Sequence, residues 1–395
     1  MTSEIKRLAA LRNCLSESLL DIAHSSKSSA DNINISDEIG TGTTSERLLS
    51  ENHMISLKDS REYHATLLAF EKQGFPSDIL NESDEDDEGR SNGINLTWRG
   101  AYSLMPPKSQ QEVHHSLIWD RVCSMWNIAS LELQLASIQD LSSKSGCKIA
   151  ISNCQSSSTV LNVLRDIIQT TSGNDNTTYT TIDLSKSMLN FWESIIIASG
   201  QVCIYKMANL NEDGDPPRQH TTLAYLCNGV VQLYNESLKY SQDPRLVSEL
   251  PTESKIWSIH CKIYSMIFTT RLNFHLSIHN RINSNWGVEL YYLKQSLKYI
   301  KECIDFCKTN SGTIGSSGKG HGSISKAVVT ECETLYKLIN TRLHKANDDN
   351  LNIYQEKIPL EIDNEDVPSK ILMKRNQQTL PDPMLYSQVK LFQNI

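Results

Sequence analysis

Long segments in which apolar residues recur every three or four positions run through most of the chain, and this period predicts α-helices. The expected helices span 1–23, 57–73, 110–142, 144–170, 184–208, 219–240, 254–282, 284–309 and 323–347. Glycine, proline, asparagine and aspartate are concentrated in the breaks between them, which is typical of turns. Short breaks between long helices favour antiparallel neighbours, so the sequence predicts a mainly α fold.

One of these segments, residues 115–137, contains two tryptophans and almost no residues that could do chemistry. One helix face carries six apolar residues at spacings of three and four: Ile118, Val122, Met125, Ala129, Leu133 and Ala136. Trp119, Cys123 and Trp126 widen that face. A helix with so broad an apolar sector is covered on more than one side, so we expect it to be core that supports a neighbouring surface.

Composition excludes several classes of protein. The 395-residue chain carries a net charge of −8, and no cluster of lysine and arginine with interleaved aromatic residues is present, so nucleic-acid binding is not expected. The N-terminus lacks the apolar run of a signal peptide, and no stretch reaches the about 20 apolar residues of a membrane-spanning helix. The ten cysteines are scattered without a C-x-x-C motif, which indicates reduced thiols in a cytoplasmic protein.

The distribution of turn residues and charge predicts three parts. Residues 1–54 read as an N-terminal helix and a flexible loop, residues 55–380 as a single domain, and residues 381–395 as a tail. The acidic stretch ESDEDDEGRSNG, about 81–93, reads as a disordered insertion because a block of like charge opposes compaction. The piece INLTW that follows, 94–98, is expected to be extended.

Two loops imitate ligand-binding motifs without meeting their requirements. In the glycine-rich loop 312–323, Lys319 is followed by Gly320, where a phosphate-binding loop needs serine or threonine. In the loop that begins at Asn209, the twelfth position is His220, where an EF-hand needs a bidentate glutamate. We expect both segments to be connections between helices.

Candidate metal ligands and catalytic motifs are also incomplete. His275 and His279 lie four residues apart, as do Cys303 and Cys307, but the sequence offers no matched further ligand for either pair. We therefore expect structural roles, with no metal and no cofactor. No G-x-S-x-G motif occurs, and we predict that the protein is not an enzyme, although a site assembled from distant residues stays open.

The order of several segments resembles the Bro-domain family, the module found in ALIX, rhophilin and BROX. The resemblance rests on six segments in the family's order: INLTWRGAY, SQQEVHHSLIWDRVCSMWNIASLELQLAS, SGCKIAISNCQSSSTVLNVLRDII, ESIIIASGQVCIYKMA, GVELYYLKQSLKYIKEC and NLNIYQEKIP. It covers roughly residues 55–380. Within the family, the chain is most similar to the single-domain BROX type, through SGKGHGSISKAVVTECETLYKLINTRL and the Trp-rich segment.

The resemblance implies a fold and a function. Family members form a curved, boomerang-shaped antiparallel helical solenoid with a TPR-like core and a small β element. They are non-enzymatic adaptors whose apolar surface groove receives the C-terminal amphipathic helix of an ESCRT-III subunit of the snf-seven type, in endosomal sorting and membrane remodelling. The family's groove positions fall on Cys203, Thr222 and Leu226, with Leu223 beside them. Cys203 and Thr222 are smaller or more polar than their counterparts in ALIX.

Two more residues match family positions. Lys148, in GCKIA, matches a lysine in the corresponding ALIX segment and is a further candidate groove residue, and Tyr354, in NIYQ, matches a tyrosine linked to Src-type phosphorylation. The chain ends in LFQNI without the cysteine of a prenylation box, so we expect indirect recruitment to endosomes or the nuclear envelope through a partner. A monomer is also expected. The alternative is a scaffold with a different partner, like rhophilin in a Rho GTPase pathway.

Overall fold

The computed structural model describes residues 44–72, 96–99, 111–114, 117–171, 181–210, 219–311, 324–362 and 367–374. The chain forms two compact units. The first unit consists of Met1–Asp140, Ser152–Leu189 and Arg375–Ile395, and the second of Leu141–Ile151 and Asn190–Lys374. The N-terminal helix predicted at 1–23, the acidic insertion at 81–93 and the tail at 381–395 lie outside the described residues.

Helices dominate the described chain, as the sequence predicts. They are α1 (Thr44–Lys72), α2 (Leu117–Ser137), α3 (Lys144–Thr171), α4 (Lys186–Asn209), α5 (His220–Ser241), α6 (Pro244–Glu249), α7 (Pro251–Ile282), α8 (Trp286–Ser311) and α9 (Lys326–Asp349). A 3-10 turn, Ile182–Leu184, precedes α4, and a π-helical turn, Asn350–Tyr354, follows α9. The mainly α fold class is thereby confirmed.

Three local predictions were wrong. The first described helix begins at Thr44 rather than near 57, so residues 44–54 are helical and not part of a flexible loop. The helix predicted from 110 begins only at Leu117, because Gln111–His114 forms strand β2, which pairs antiparallel with strand β1, Leu96–Arg99. The break at 241–251 contains α6, whose first turn is closed by Asp243 accepting a hydrogen bond from the Arg245 amide at 2.9 Å.

In the first unit, α2 is a core helix, as its sequence predicts. Trp119, Val122 and Met125 are 2%, 0% and 0% exposed. The buried carboxylate of Asp120 accepts a hydrogen bond from Trp98 Nε1 at 2.6 Å and another from the Tyr63 hydroxyl. Because Trp98 is on β1 and Tyr63 is on α1, this one carboxylate joins three elements and satisfies polar groups that burial would otherwise leave unpaired.

In the second unit, consecutive long helices pack as neighbours. α5 packs on α7, α7 on α8, and α8 on α9. The turn between α7 and α8 is only Asn283–Asn285, and Ser284 takes a left-handed backbone conformation with φ of 61°. So short a turn reverses the chain and makes α7 and α8 antiparallel. Among the described helices, none is long and apolar enough to cross a membrane.

His64, on α1, provides a test of packing in the first unit. Its ring is 8% exposed, and neither ring nitrogen has a hydrogen-bond partner. Burial, together with the nearby positive charge of Arg121, lowers the pKa of His64 to about 4. Its pKa in the unfolded chain is about 6.5. The unfolded state therefore binds the extra proton first as the pH falls, and stability that is present above pH 6.5 is lost towards pH 4.

We predict that His64→Leu removes this pH dependence. Relative to the variant, the wild type should lose up to about 3 kcal/mol of unfolding free energy between pH 7 and pH 4, measured by urea denaturation. His344→Gln, a change at an exposed histidine on α9, is the control and should follow the wild type. If the unfolding free energies of wild type and His64→Leu change in parallel with pH, the lowered pKa of His64 is contradicted.

Candidate functional site

The predicted groove residues all belong to the second unit, but most of their side chains are inside it. Cys203, on α4, is 6% exposed, and Leu223 and Leu226, on α5, are each 2% exposed. Thr222 is half-buried, and its hydroxyl donates to Gln219 Oε1 at 3.2 Å. The three buried residues lie beneath the α4–α5 surface and do not form its outer layer. Their contact with a partner stays a prediction.

The beginning of α3 borders this region. Burial and the neighbouring Cys147 thiol raise the pKa of Cys203 to about 11, so Cys203 stays a neutral thiol and is not an activated nucleophile. Cys147 is itself fully buried, whereas Lys148 and Ile149, which follow it, are exposed. Ile149 is 49% exposed, although it is apolar, and it was not among the residues predicted from the sequence. In the helical pattern of α3, Ile149 lies off the buried face, and this position is the sequence feature that could have identified it.

A strap, residues Val367–Lys374, crosses α4 and α5. The backbone of Lys370 connects both helices: its N–H donates to the Tyr225 carbonyl on α5 at 2.9 Å, and its carbonyl accepts from Gln201 Nε2 on α4 at 2.8 Å. Gln201 Oε1 also accepts from the Leu372 and Met373 amides, each at 3.0 Å. One buried amide side chain therefore makes three hydrogen bonds to the strap and fixes its register.

Two glycines allow the strap to approach this closely. A Cβ at Gly229, on α5, would lie 2.8 Å from the Lys370 carbonyl oxygen, which is closer than real Cβ atoms come. A Cβ at Gly200, on α4, would lie 2.7 Å from the Met373 side chain. Asn228 adds a hydrogen bond from its side-chain amide to the Val367 carbonyl at 2.7 Å. The strap and the two helices thus form one packed layer directly beside Cys203 and Leu226.

The histidine pair predicted to be structural is divided between two environments. His275 is 5% exposed; its Nε2 lies 2.9 Å from the Tyr205 hydroxyl and its Nδ1 lies 3.1 Å from His220 Nδ1. His279 instead lies 3.0 Å, through Nε2, from the Asn283 side chain at the end of α7. Since both ring nitrogens of His275 are already engaged, the two histidines do not form a ligand pair.

Tyr354 lies at the end of the π-helical turn, apart from the strap contacts. Its ring stacks on Trp286, with centroids 3.8 Å apart and planes 9° from parallel, and the residue is 38% exposed. The turn is closed by Asn350, whose side chain hydrogen-bonds both the N–H and the carbonyl of Glu356. Glu356 Oε2 accepts from the Gly287 amide at 2.7 Å, which places a carboxylate at the N-terminus of α8.

Comparisons with known proteins agree on the family and the fold. A model of the BRO1-like domain family matches residues 3–395. Three solved structures resemble the chain: an ALIX BRO1–CHMP4C complex, ALIX with the SIVmac239 PYKEVTEDL late domain, and a Bro1 domain described as a basis for endosomal targeting. Their TM-scores are 0.63, 0.62 and 0.60, at 20%, 19% and 14% identity. The matches cover 84%, 84% and 91% of this chain, and 81%, 41% and 82% of those chains.

We predict that Gln201→Ala frees the strap. The change leaves a carbonyl and two amides of the strap without their partner. The Met373 amide among them is buried, and an unsatisfied buried group costs about 1–3 kcal/mol. Hydrogen exchange at the Leu372 and Met373 amides should become at least tenfold faster. Gln232→Ala, at an exposed position on α5, is the matched control and should leave these rates unchanged. Unchanged exchange in Gln201→Ala would show that the amide does not hold the strap.

Proposed function

Because the chain belongs to the BRO1-like domain family, we propose that it is a non-enzymatic adaptor which binds the C-terminal amphipathic helix of an ESCRT-III subunit of the snf-seven type. The observation that carries the proposal is the shared fold with an ALIX BRO1 domain that was solved in complex with CHMP4C, an ESCRT-III subunit. The proposed setting is endosomal sorting, with cytoplasmic protein recruited peripherally to endosomes or the nuclear envelope by its partner.

The proposed site is the α4–α5 surface together with the beginning of α3. An amphipathic helix binds a groove through apolar anchors at positions i, i+3 or i+4, and i+7. Thr222 and Ile149 are the predicted outer contacts, and Lys148 would pair with an acidic residue of the incoming helix. Cys203, Leu223 and Leu226 would form the floor, held in place by the packing beneath the strap.

A rigid floor matters for affinity in this proposal. Binding of a short helix must offset the loss of translational, rotational and side-chain freedom, so a surface that does not have to be ordered first binds more tightly. The hydrogen bonds of Gln201 to the strap, and of the Lys370 amide in the strap to the Tyr225 carbonyl, supply this order on the protein side. The expected affinity is micromolar, on the order of −8 kcal/mol, which suits a single helix on a shallow surface.

Point variants of the outer residues test the site without disturbing the core. Leu226→Asp is unsuitable, because a carboxylate at a position that is 2% exposed would destabilise the fold. Thr222→Arg places a bulky charge on the proposed surface, and Lys148→Glu reverses its charge. Gln232→Arg and Lys239→Glu introduce the same side chains at exposed positions on α5 and serve as matched controls.

We predict saturable binding of a labelled C-terminal helix peptide from a snf-seven-type subunit, measured by fluorescence anisotropy. Thr222→Arg and Lys148→Glu should each weaken binding by about tenfold, a loss of about 1.4 kcal/mol, while both controls bind as the wild type does. Binding that none of the four variants changes would place the site elsewhere. If the wild type does not bind the peptide but retains a Rho-family GTPase in a pull-down, the rhophilin-like scaffold is the correct alternative.

We also propose that Tyr354 is a phosphorylation site for a Src-type kinase. The residue is partly exposed, but its stacking on Trp286 holds the ring against the protein. A kinase must draw the ring away from that surface, so Trp286→Ala should be phosphorylated several-fold faster than the wild type in a kinase assay read by mass spectrometry. Leu360→Ala, at a residue that is 97% exposed, is the control. Equal labelling of wild type and Tyr354→Phe would show that another tyrosine is modified.

A further inference from the structure

Three buried cysteines converge between α8 and α9, away from every contact assigned to the proposed adaptor surface. Cys303 and Cys307 are one helical turn apart on α8, and Cys332 is in the second turn of α9. They are 0%, 3% and 1% exposed. The spacing of the first two in the sequence predicted a structural pair, and only the packing of α9 on α8 adds the third thiol.

The sulfur atoms have the separation that metal coordination requires. All three Sγ atoms lie within 4.8 Å of one another, and Cys303 Sγ is 3.8 Å from Cys332 Sγ. A metal ion bound at about 2.3 Å from each sulfur needs sulfur–sulfur distances of about 3.8–4.0 Å in tetrahedral or trigonal geometry. Little movement of the side chains would therefore complete such a site.

Two simpler accounts explain less. A disulfide would bring two sulfurs to about 2.05 Å and leave the third thiol unused. Buried cysteines often serve as small apolar residues, but such residues need not direct their sulfur atoms at a common point. Within the described residues, no other set of three histidine, cysteine, aspartate or glutamate side chains brings its ligand atoms this close together.

We propose that Cys303, Cys307 and Cys332 bind one Cu(I) ion. Thiolates select soft ions such as Cu(I) over hard cations. A structural zinc site takes four protein ligands, whereas a Cu(I) ion is satisfied by three thiolates in a trigonal plane. Binding displaces one proton from each thiol to solvent and forms three Cu–S bonds, with no change of oxidation state.

Binding creates negative charge, and a lysine and an ion pair lie on the helices around the cluster. Cu(I) with three thiolates carries a net charge of two minus, which a buried site must balance. Lys262, on α7, holds its ammonium 4.5 Å from the ring centroid of Phe306, the residue that precedes Cys307. Glu331, next to Cys332, is paired with Arg271 at 2.7 Å, so its negative charge is already compensated.

The test is an anaerobic competition titration of the reduced full chain, in which Cu(I) is supplied as its complex with bicinchoninate. The wild type should remove one Cu(I) per chain. Cys303→Ser and Cys332→Ser should bind at least tenfold more weakly, while Cys154→Ser, a buried cysteine outside the cluster, is the control and should bind as the wild type does. Circular dichroism of each variant, with Cys307→Ala as a second ligand variant, separates loss of the site from loss of the fold.

A direct structural readout decides the matter even if the ligand variants are unstable. X-ray absorption of the wild type with one equivalent of Cu(I) should show three sulfur neighbours at about 2.3 Å. No transfer of Cu(I) from the indicator, equal binding by all variants, or two sulfur neighbours would overturn the proposal. Uptake of Zn(II) without uptake of Cu(I) would overturn the choice of ion.

Discussion

The backbone of Lys370 makes the contact on which the α4–α5 layer depends. Its N–H donates to a carbonyl on α5, and its carbonyl accepts from a side chain on α4. One residue of the strap therefore links the two helices. This arrangement needs a buried glutamine at 201, which bonds the strap with both its donor and its acceptor. It also needs glycine at 229, where any side chain would meet the Lys370 carbonyl. The floor beneath the proposed binding surface is therefore set by residues more than 140 positions later in the chain.

The sequence predicted the long helices well because their apolar period continues over many turns. The Trp-rich segment is core, as its broad apolar face indicated. Errors occurred where a short local signal competed with a long pattern. Asp243 and Pro244 begin a six-residue helix inside a segment rich in turn residues, and Gln111–His114 forms a strand at the beginning of the segment 110–142 that was predicted to be helical. The strand forms because it hydrogen-bonds to the distant strand β1, and the periodicity of a segment contains no information about such pairing.

The surface of the proposed site was less predictable than the fold for a related reason. The resemblance to the family placed the proposed site in the α4–α5 region, but exposure depends on what packs over each residue, and the sequence does not state this. Leu226 is covered, while Ile149, an apolar residue off the buried face of α3, is exposed. The thiol cluster shows the same limit. Cys303 and Cys307 could be paired from their spacing, but Cys332 joins them only because α9 packs on α8.

Hydrogen–deuterium exchange of the full chain, with and without a saturating snf-seven-type helix peptide, tests the central claim most directly. A helix bound at the α4–α5 surface should slow exchange at the beginning of α5, around Thr222, and at the beginning of α3, around Lys148. The backbone amides of α8 and α9 should exchange at the same rate with and without the helix peptide. Protection confined to α8 and α9, or no protection at a peptide concentration that saturates binding, would contradict the proposed site.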